Sequence, residues 1–367
     1  MQNTGLEVQV ITRRLTNVYE IRTISDLDLL RAHLDGTFVQ TADIDLEGRI
    51  FNPIGTSHGE FRGTYYGCGY TIRNFALDIV RIETTDIRYV AVGFFGVAYQ
   101  AKLHDMHLEN VRLSYQGMPV NESDESQIFL GSLIGASAEC ELYRCSITDF
   151  TVDVTHESLI KGRMPTTWVG GLVGYSSNSI VFRDCSATDL DIHSYVKATL
   201  TDGVFGMFRT GGERNIVGGL IGESYNSITV SNCYTEGRIR LTNAWQGDSM
   251  LFGGGIAGLI RDVDGGYHVR VENCLTDIVF DDNRTSKKCY SAIANIGNNA
   301  SSLNPDKVAN NVYYVNETYT NPDTKGFDSV ATSESQSDAY STEFLYHVLG
   351  FDAMYWTIKD GKIIFTP

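Results

Sequence analysis

The chain has 367 residues, with 36 glycines, only 6 prolines and a formal net charge of −16. That length with that turn-rich composition suits a solenoid better than one ordinary domain. The negative charge argues against nucleic acid as a partner, which would want a basic face, and no run approaches the roughly 20 apolar residues of a membrane span.

In chain order, residues 1–17 read as an N-terminal arm or edge strand, with Val8, Val10 and Ile11 as its apolar positions. They lack the basic stretch and apolar core of a secretory signal. Next comes a helix expected over 26–34. Ser25 is its N-cap, Asp28 stands at its third position, and Leu27, Leu29, Leu30 and Leu34 give it an apolar face. This helix would lid a solenoid, whose exposed strand edges must be blocked.

The body, taken as 18–318, is organised by a repeat. Leu130-Gly131-Ser132-Leu133-Ile134-Gly135 is followed by Cys145. Val169-Gly170-Gly171-Leu172-Val173-Gly174 is followed by Cys185, and Val217-Gly218-Gly219-Leu220-Ile221-Gly222 by Cys233. Phe252-Gly253-Gly254-Gly255-Ile256 is followed by Cys274. Weaker copies lie at Val92–Gly96 and Tyr290–Ile293, with Met106 and Val312 in the cysteine's place. Each unit adds short β-type runs, such as Ile180-Val181-Phe182 and Ile228-Thr229-Val230, and no amphipathic helix. Short strands repeated without helices predict an all-β fold, a parallel β-helix whose coils stack about 4.8 Å apart. Cys145, Cys185, Cys233 and Cys274 then form an inward column. Its apolar replacements mark these thiols as small core hydrophobes rather than a disulfide framework. Residues 319–367 read as a C-terminal cap, with a short helix at 342–349 and a strand or hairpin at 356–365.

The glycine phrases resemble the GLUG motif of bacterial and phage surface proteins. Ile24-Ser25-Asp26-Leu27, Phe51-Asn52-Pro53-Ile54-Gly55 and Gly69-Tyr70-Thr71-Ile72 are similar to the opening segment of that family. Leu349-Gly350-Phe351-Asp352 and Trp356-Thr357-Ile358-Lys359-Asp360-Gly361-Lys362 are similar to its closing segment. The resemblance implies a right-handed parallel β-helix. Cys68 departs from it, standing where an asparagine is common.

Function is sought where the repeats differ. The insertions 113–128, 153–168, 191–216 and 241–251 leave the coils along one edge, so they gather on one flank. The binding candidates there are Arg163, Tyr195, Phe205, Phe208, Arg209, Arg214 and Trp245. Aromatic and cationic side chains of this kind suit a sugar or a protein surface. Tyr115 also lies in an insertion, and Trp168 reads as core because it abuts the glycine turn. An acidic column is expected at Glu109, Asp149, Asp189, Glu236 and Asp277; it would be a solvated turn face or, alternatively, take calcium. Catalytic groupings are thin. Asp281-Asp282 is an adjacent acidic pair, and Asp262-Val263-Asp264-Gly265 reads as a turn rather than a metal loop. His104 and His107 lack a third ligand, and Cys289 lacks a histidine partner. No catalytic, cofactor or metal residue is therefore assigned.

The expectation is a non-catalytic binding β-helix that recognises a bacterial surface polysaccharide or surface protein. It would belong to the tail or fibre of a phage particle, with the N-terminal arm docking on other particle proteins. The alternatives are a phage polysaccharide depolymerase and a bacterial cell-surface adhesin.

Overall fold

A computed structural model describes residues 17–56, 58–78, 90–117, 127–158, 166–198, 214–243, 250–261, 269–281, 288–296, 309–315 and 331–366. Residues 1–16, which carry the expected N-terminal arm, and residues 316–330 lie outside them. The fold is a parallel β-helix with four strands per coil. One coil runs Gln127–Gly131, Ile134–Ala138, Cys140–Tyr143 and Ser146–Ser158. The next runs Thr166–Gly170, Val173–Ser176, Ile180–Arg183 and Ser186–Ala198. First strands form one six-stranded parallel sheet and second strands another. Third and fourth strands belong to a single 15-stranded sheet, because they merge in the long strands Ile228–Asn243 and Val269–Asp281.

Register turns the repeat into interior ladders. Phe38, Tyr65, Leu103, Leu142, Phe182, Val230 and Val271 are successive partners on the third strands, and all are buried. The cysteine column is buried as expected, with Met106 and Val312 at its ends. Cys233 is the register partner of Cys274, and Cys274 of Val312. Cys68, Cys140 and these four are all free thiols. In the later phrases Gly171, Gly219 and Gly255 lie where two coils approach closely, while the Leu130–Gly135 phrase has Ser132 there. A Cβ on Gly219 would run into the Gly255 carbonyl oxygen.

The corners between third and fourth strands are left-handed without glycine. Asp105, Arg144, Asp184, Asn232, Asn273 and Asn311 all have φ between 50° and 57°. Asparagine and aspartate tolerate this conformation, and the stack supplies bonds between coils. Asn273 Nδ2 donates to Asn232 Oδ1 at 3.1 Å, and Asn311 Nδ2 to Asn273 Oδ1 at 3.0 Å.

The ends differ in detail from expectation. The N-terminal helix is shorter, Leu27–Ala32, and Ile24–Asp26 ahead of it is a 3-10 turn. Thr23, not Ser25, is the cap of that turn. Asp26 Oδ2 accepts from the backbone of Thr23 (2.8 Å) and Arg22 (3.0 Å), which closes the turn two residues earlier. Leu27 and Leu30 are buried, with Leu29 and Leu34 packed beside them.

At the other end, Ala331–Ser333 adds one more rung to the stack. The chain then turns back through helices Gln336–Ala339 and Phe344–Val348 into the hairpin Trp356–Lys359/Lys362–Phe365. This exit segment lies along the flank of the coils. Trp356, Phe344, Leu345 and Ile363 form a second core with Tyr234 and Leu275, the outward residues that begin successive fourth strands. The ring of Phe365 reaches His107, 5.4 Å away.

Candidate functional site

The insertions begin as strand rather than loop: fourth strands run on to Ser158, Ala198 and Asn243. Tyr115 is a buried core residue of such an extension. Among the predicted binding residues, Tyr195 and Arg214 are described; Arg163, Phe205, Phe208, Arg209 and Trp245 lie outside the described residues. Tyr195 is half-buried on a fourth strand beside Thr155 and Thr242. Arg214 opens a first strand and lines a cleft of about 530 Å³.

That cleft is built by the glycine turn, which folds first and second strands so that their outer faces meet. The first-strand wall carries Ala91, Phe129, Trp168, Ile216 and Phe252 as successive register partners. The second-strand wall carries Val97, Ala136, Tyr175, Glu223 and Leu259. Phe129, Trp168, Ile216, Ala136 and Leu259 form an apolar cluster separate from the interior core. Trp168 is therefore buried, as expected, but in the cleft wall rather than inside the coils. The Phe129 ring centroid stands 4.7 Å from those of both Trp168 and Tyr175.

One carboxylate is sunk into this apolar seam. Trp168 Nε1 donates to Glu223 Oε2 at 2.6 Å, Arg261 Nη2 donates to the same oxygen at 3.0 Å, and Arg261 Nε stands 2.7 Å from Oε1. Burial raises the pKa of Glu223, and Arg261 and the Trp168 N–H offset only part of that rise. Burial likewise pushes the Tyr175 hydroxyl up to about 12, with Glu223 adding to it. Glu60, on the rim, is ion-paired with Arg62 at 3.2 Å. Arg214, Gln127 and Thr166 make up the outer row of the first strands.

A second, polar cleft of about 740 Å³ lies on the fourth strands under the exit segment. It holds Asp189, Glu236 and Asp277 of the acidic column. Lys362 of the exit hairpin donates to Asp189 at 2.7 Å and stands 3.8 Å from Glu236, while Tyr340 donates to Asp277 at 2.6 Å. At this end, then, the column is not a solvated face; it is where the exit segment docks. His104 is stacked between Tyr66 and Tyr143, and His107 shares a hydrogen bond with Ser146 at 2.8 Å. Asp281 stands 3.6 Å from Arg238; its neighbour Asp282, the 262–265 turn and the Cys289 side chain lie outside what is described. Among the described residues, no three His, Cys, Asp or Glu gather as metal ligands.

No family model and no curated protein matches the sequence. Among solved structures the chain is similar to one named IgA1 protease, at 16% identity and a TM-score of 0.39. That match covers 83% of this chain and 22% of the other.

Proposed function

We propose that the chain is a non-catalytic binding β-helix of a phage or phage-like particle, and that it holds a bacterial surface glycan in the cleft between first and second strands. The observation that carries this is the Phe129–Trp168–Tyr175 wall closed over Glu223 and Arg261. Flat aromatic faces beside a few fixed polar groups are what a sugar ring requires, and the cleft volume lies within the usual range for ligand sites. The resemblance to GLUG-repeat surface proteins agrees with such a setting. A bacterial adhesin would use the same cleft, and only the particle differs.

A depolymerase is favoured by one observation, the raised pKa of Glu223, which is the condition of a general acid. Against it, Glu223 Oε2 accepts two hydrogen bonds, Oε1 is ion-paired with Arg261, and the other carboxylate lining the cleft, Glu60, is paired with Arg62. A two-carboxylate hydrolysis needs a free pair.

Titration of purified host surface polysaccharide tests the reading. Trp168→Ala is expected to weaken binding by about 2 kcal/mol, roughly 30-fold, with the circular dichroism spectrum unchanged. Undiminished binding by that variant overturns it. Release of new reducing ends or unsaturated products establishes the depolymerase instead.

A further inference from the structure

We infer that the cleft selects a glycan bearing carboxylate groups, and that Arg214 is the side chain that reads them. The inference rests on the cleft being a glycan site. Four charged residues line it: Glu60, Arg214, Glu223 and Arg261. Glu223 and Arg261 neutralise each other face to face, and Glu60 is held by Arg62. Arg214 feels Glu223 only at longer range, makes no ion pair among the described residues, and its buried Nε has no hydrogen-bond partner among them. A buried donor on a cation left unsatisfied is costly, and that cost is normally relieved by a protein group. Arg214 lines the cleft, so an acceptor bound there would meet its guanidinium.

The chemistry of the acceptor follows from the donor. A guanidinium is a planar fork that matches a carboxylate with two parallel hydrogen bonds. Burial and the nearby Arg261 both disfavour the charge on Arg214, Glu223 offsets only part of this, and a bound anion would relieve the rest. A chain of net charge −16 offers little general attraction for polyanions. Affinity for an acidic polymer must therefore come from a local cation. Thr166 and Gln127, the register partners of Arg214 on the two preceding coils, extend a row of polar side chains along the solenoid axis beside the Trp168 wall. A sugar stacked on that wall thus runs from Gln127 on one coil to the carboxylate-binding group two coils on.

The test uses the full chain and defined polymers: polygalacturonate, alginate, hyaluronan and polysialic acid, with dextran, mannan and dextran sulfate as neutral and sulfated counterparts. At least one carboxylated polymer is expected to bind. Reduction of its carboxyls to alcohols, and Arg214→Gln in the protein, should each weaken binding roughly ten- to hundredfold. The two changes together should cost little more than either alone, a non-additivity that a merely structural role of Arg214 would not produce. Carboxyl reduction needs no protein variant, so it reads the contact even where Arg214→Gln lowers stability. Binding of neutral polymers with Arg214→Gln equal to wild type leaves the glycan reading standing and overturns this inference. Equally tight binding of dextran sulfate overturns it too. Failure of every polymer overturns both.

Discussion

Glu223 sits almost fully buried between a tryptophan and an arginine, and its titration bears on stability. Its folded pKa is raised above the unfolded value, so the group contributes stability that is fully present below the ordinary carboxylate range. That contribution is lost as pH rises through the raised folded value. Arg261→Met removes the main cation that limits the rise, leaving the carboxylate with the Trp168 N–H and the more distant Arg214 alone. The variant is expected to lose about 2–3 kcal/mol at pH 7; the Arg261 side chain is 28% exposed, which places the loss below that of a fully buried pair. At pH 4 the loss should be much smaller. Urea unfolding at both pH values checks this, and equal losses would remove Glu223 as the cause. At Gly219 the argument is steric. An added methyl would have to push the Gly255 backbone away, spreading two coils that are hydrogen-bonded to each other. Gly219→Ala should cost about 3 kcal/mol or more in thermal or urea unfolding.

Among the elements, the exit segment is where two kinds of attachment can be separated. Lys362 bridges Asp189 and Glu236 from a position about half exposed, and such pairs are worth at most about 1 kcal/mol. Trp356 is fully buried against Phe351 and Phe365 within the seal over Tyr234 and Leu275. Trp356→Ala should therefore destabilise by about 3–5 kcal/mol, and Lys362→Met by less than about 1 kcal/mol. Comparable losses from the two would mean that the flank is held electrostatically. This docking was not legible in the chain. Lys362 and Asp189 are 173 residues apart and share no period. The hairpin itself was legible, since Asp360-Gly361 supplies the two left-handed residues of a tight turn, with φ of 53° and 73°. The N-terminal cap was misplaced by two residues because Asp26 reads as a helical residue in a pattern, whereas its carboxylate reaches back to Thr23.

For the whole molecule, the coil stack follows from the glycine phrase, because equivalent residues of a solenoid must superpose. The cysteine ladder is the clearest case: inward, apolar and in register, it could be read before any coordinate. The cleft was harder, although it obeys the same rule. Phe129 and Trp168 each stand two residues before a phrase glycine, and Tyr175 and Glu223 each follow one. Aligned on the glycines, those outward positions already list the two walls. Trp168 reads as buried because it abuts the glycine turn, but its partners in the cleft wall come one from each coil and none is near in sequence. Arg214, at the end of its insertion, lines the cleft. Tyr195, chosen by the same logic, lies on a fourth strand and lines neither cleft.

The stack also makes a prediction about thiols. In the native protein Cys68 should react with a maleimide, while Cys140, Cys145, Cys185, Cys233 and Cys274 should stay silent until denaturant is added. Peptide mapping by mass spectrometry after labelling checks it, and rapid labelling of any column cysteine would contradict the stacked interior.

The central claim is that the faces of the first and second strands hold the ligand. Hydrogen exchange with and without the bound surface polysaccharide addresses it most directly. Slowed exchange centred on Gln127–Gly131, Thr166–Gly170, Val173–Ser176 and Arg214–Gly218 is the predicted result. Protection confined to the fourth strands or the exit segment, with these four strands unchanged, would contradict it.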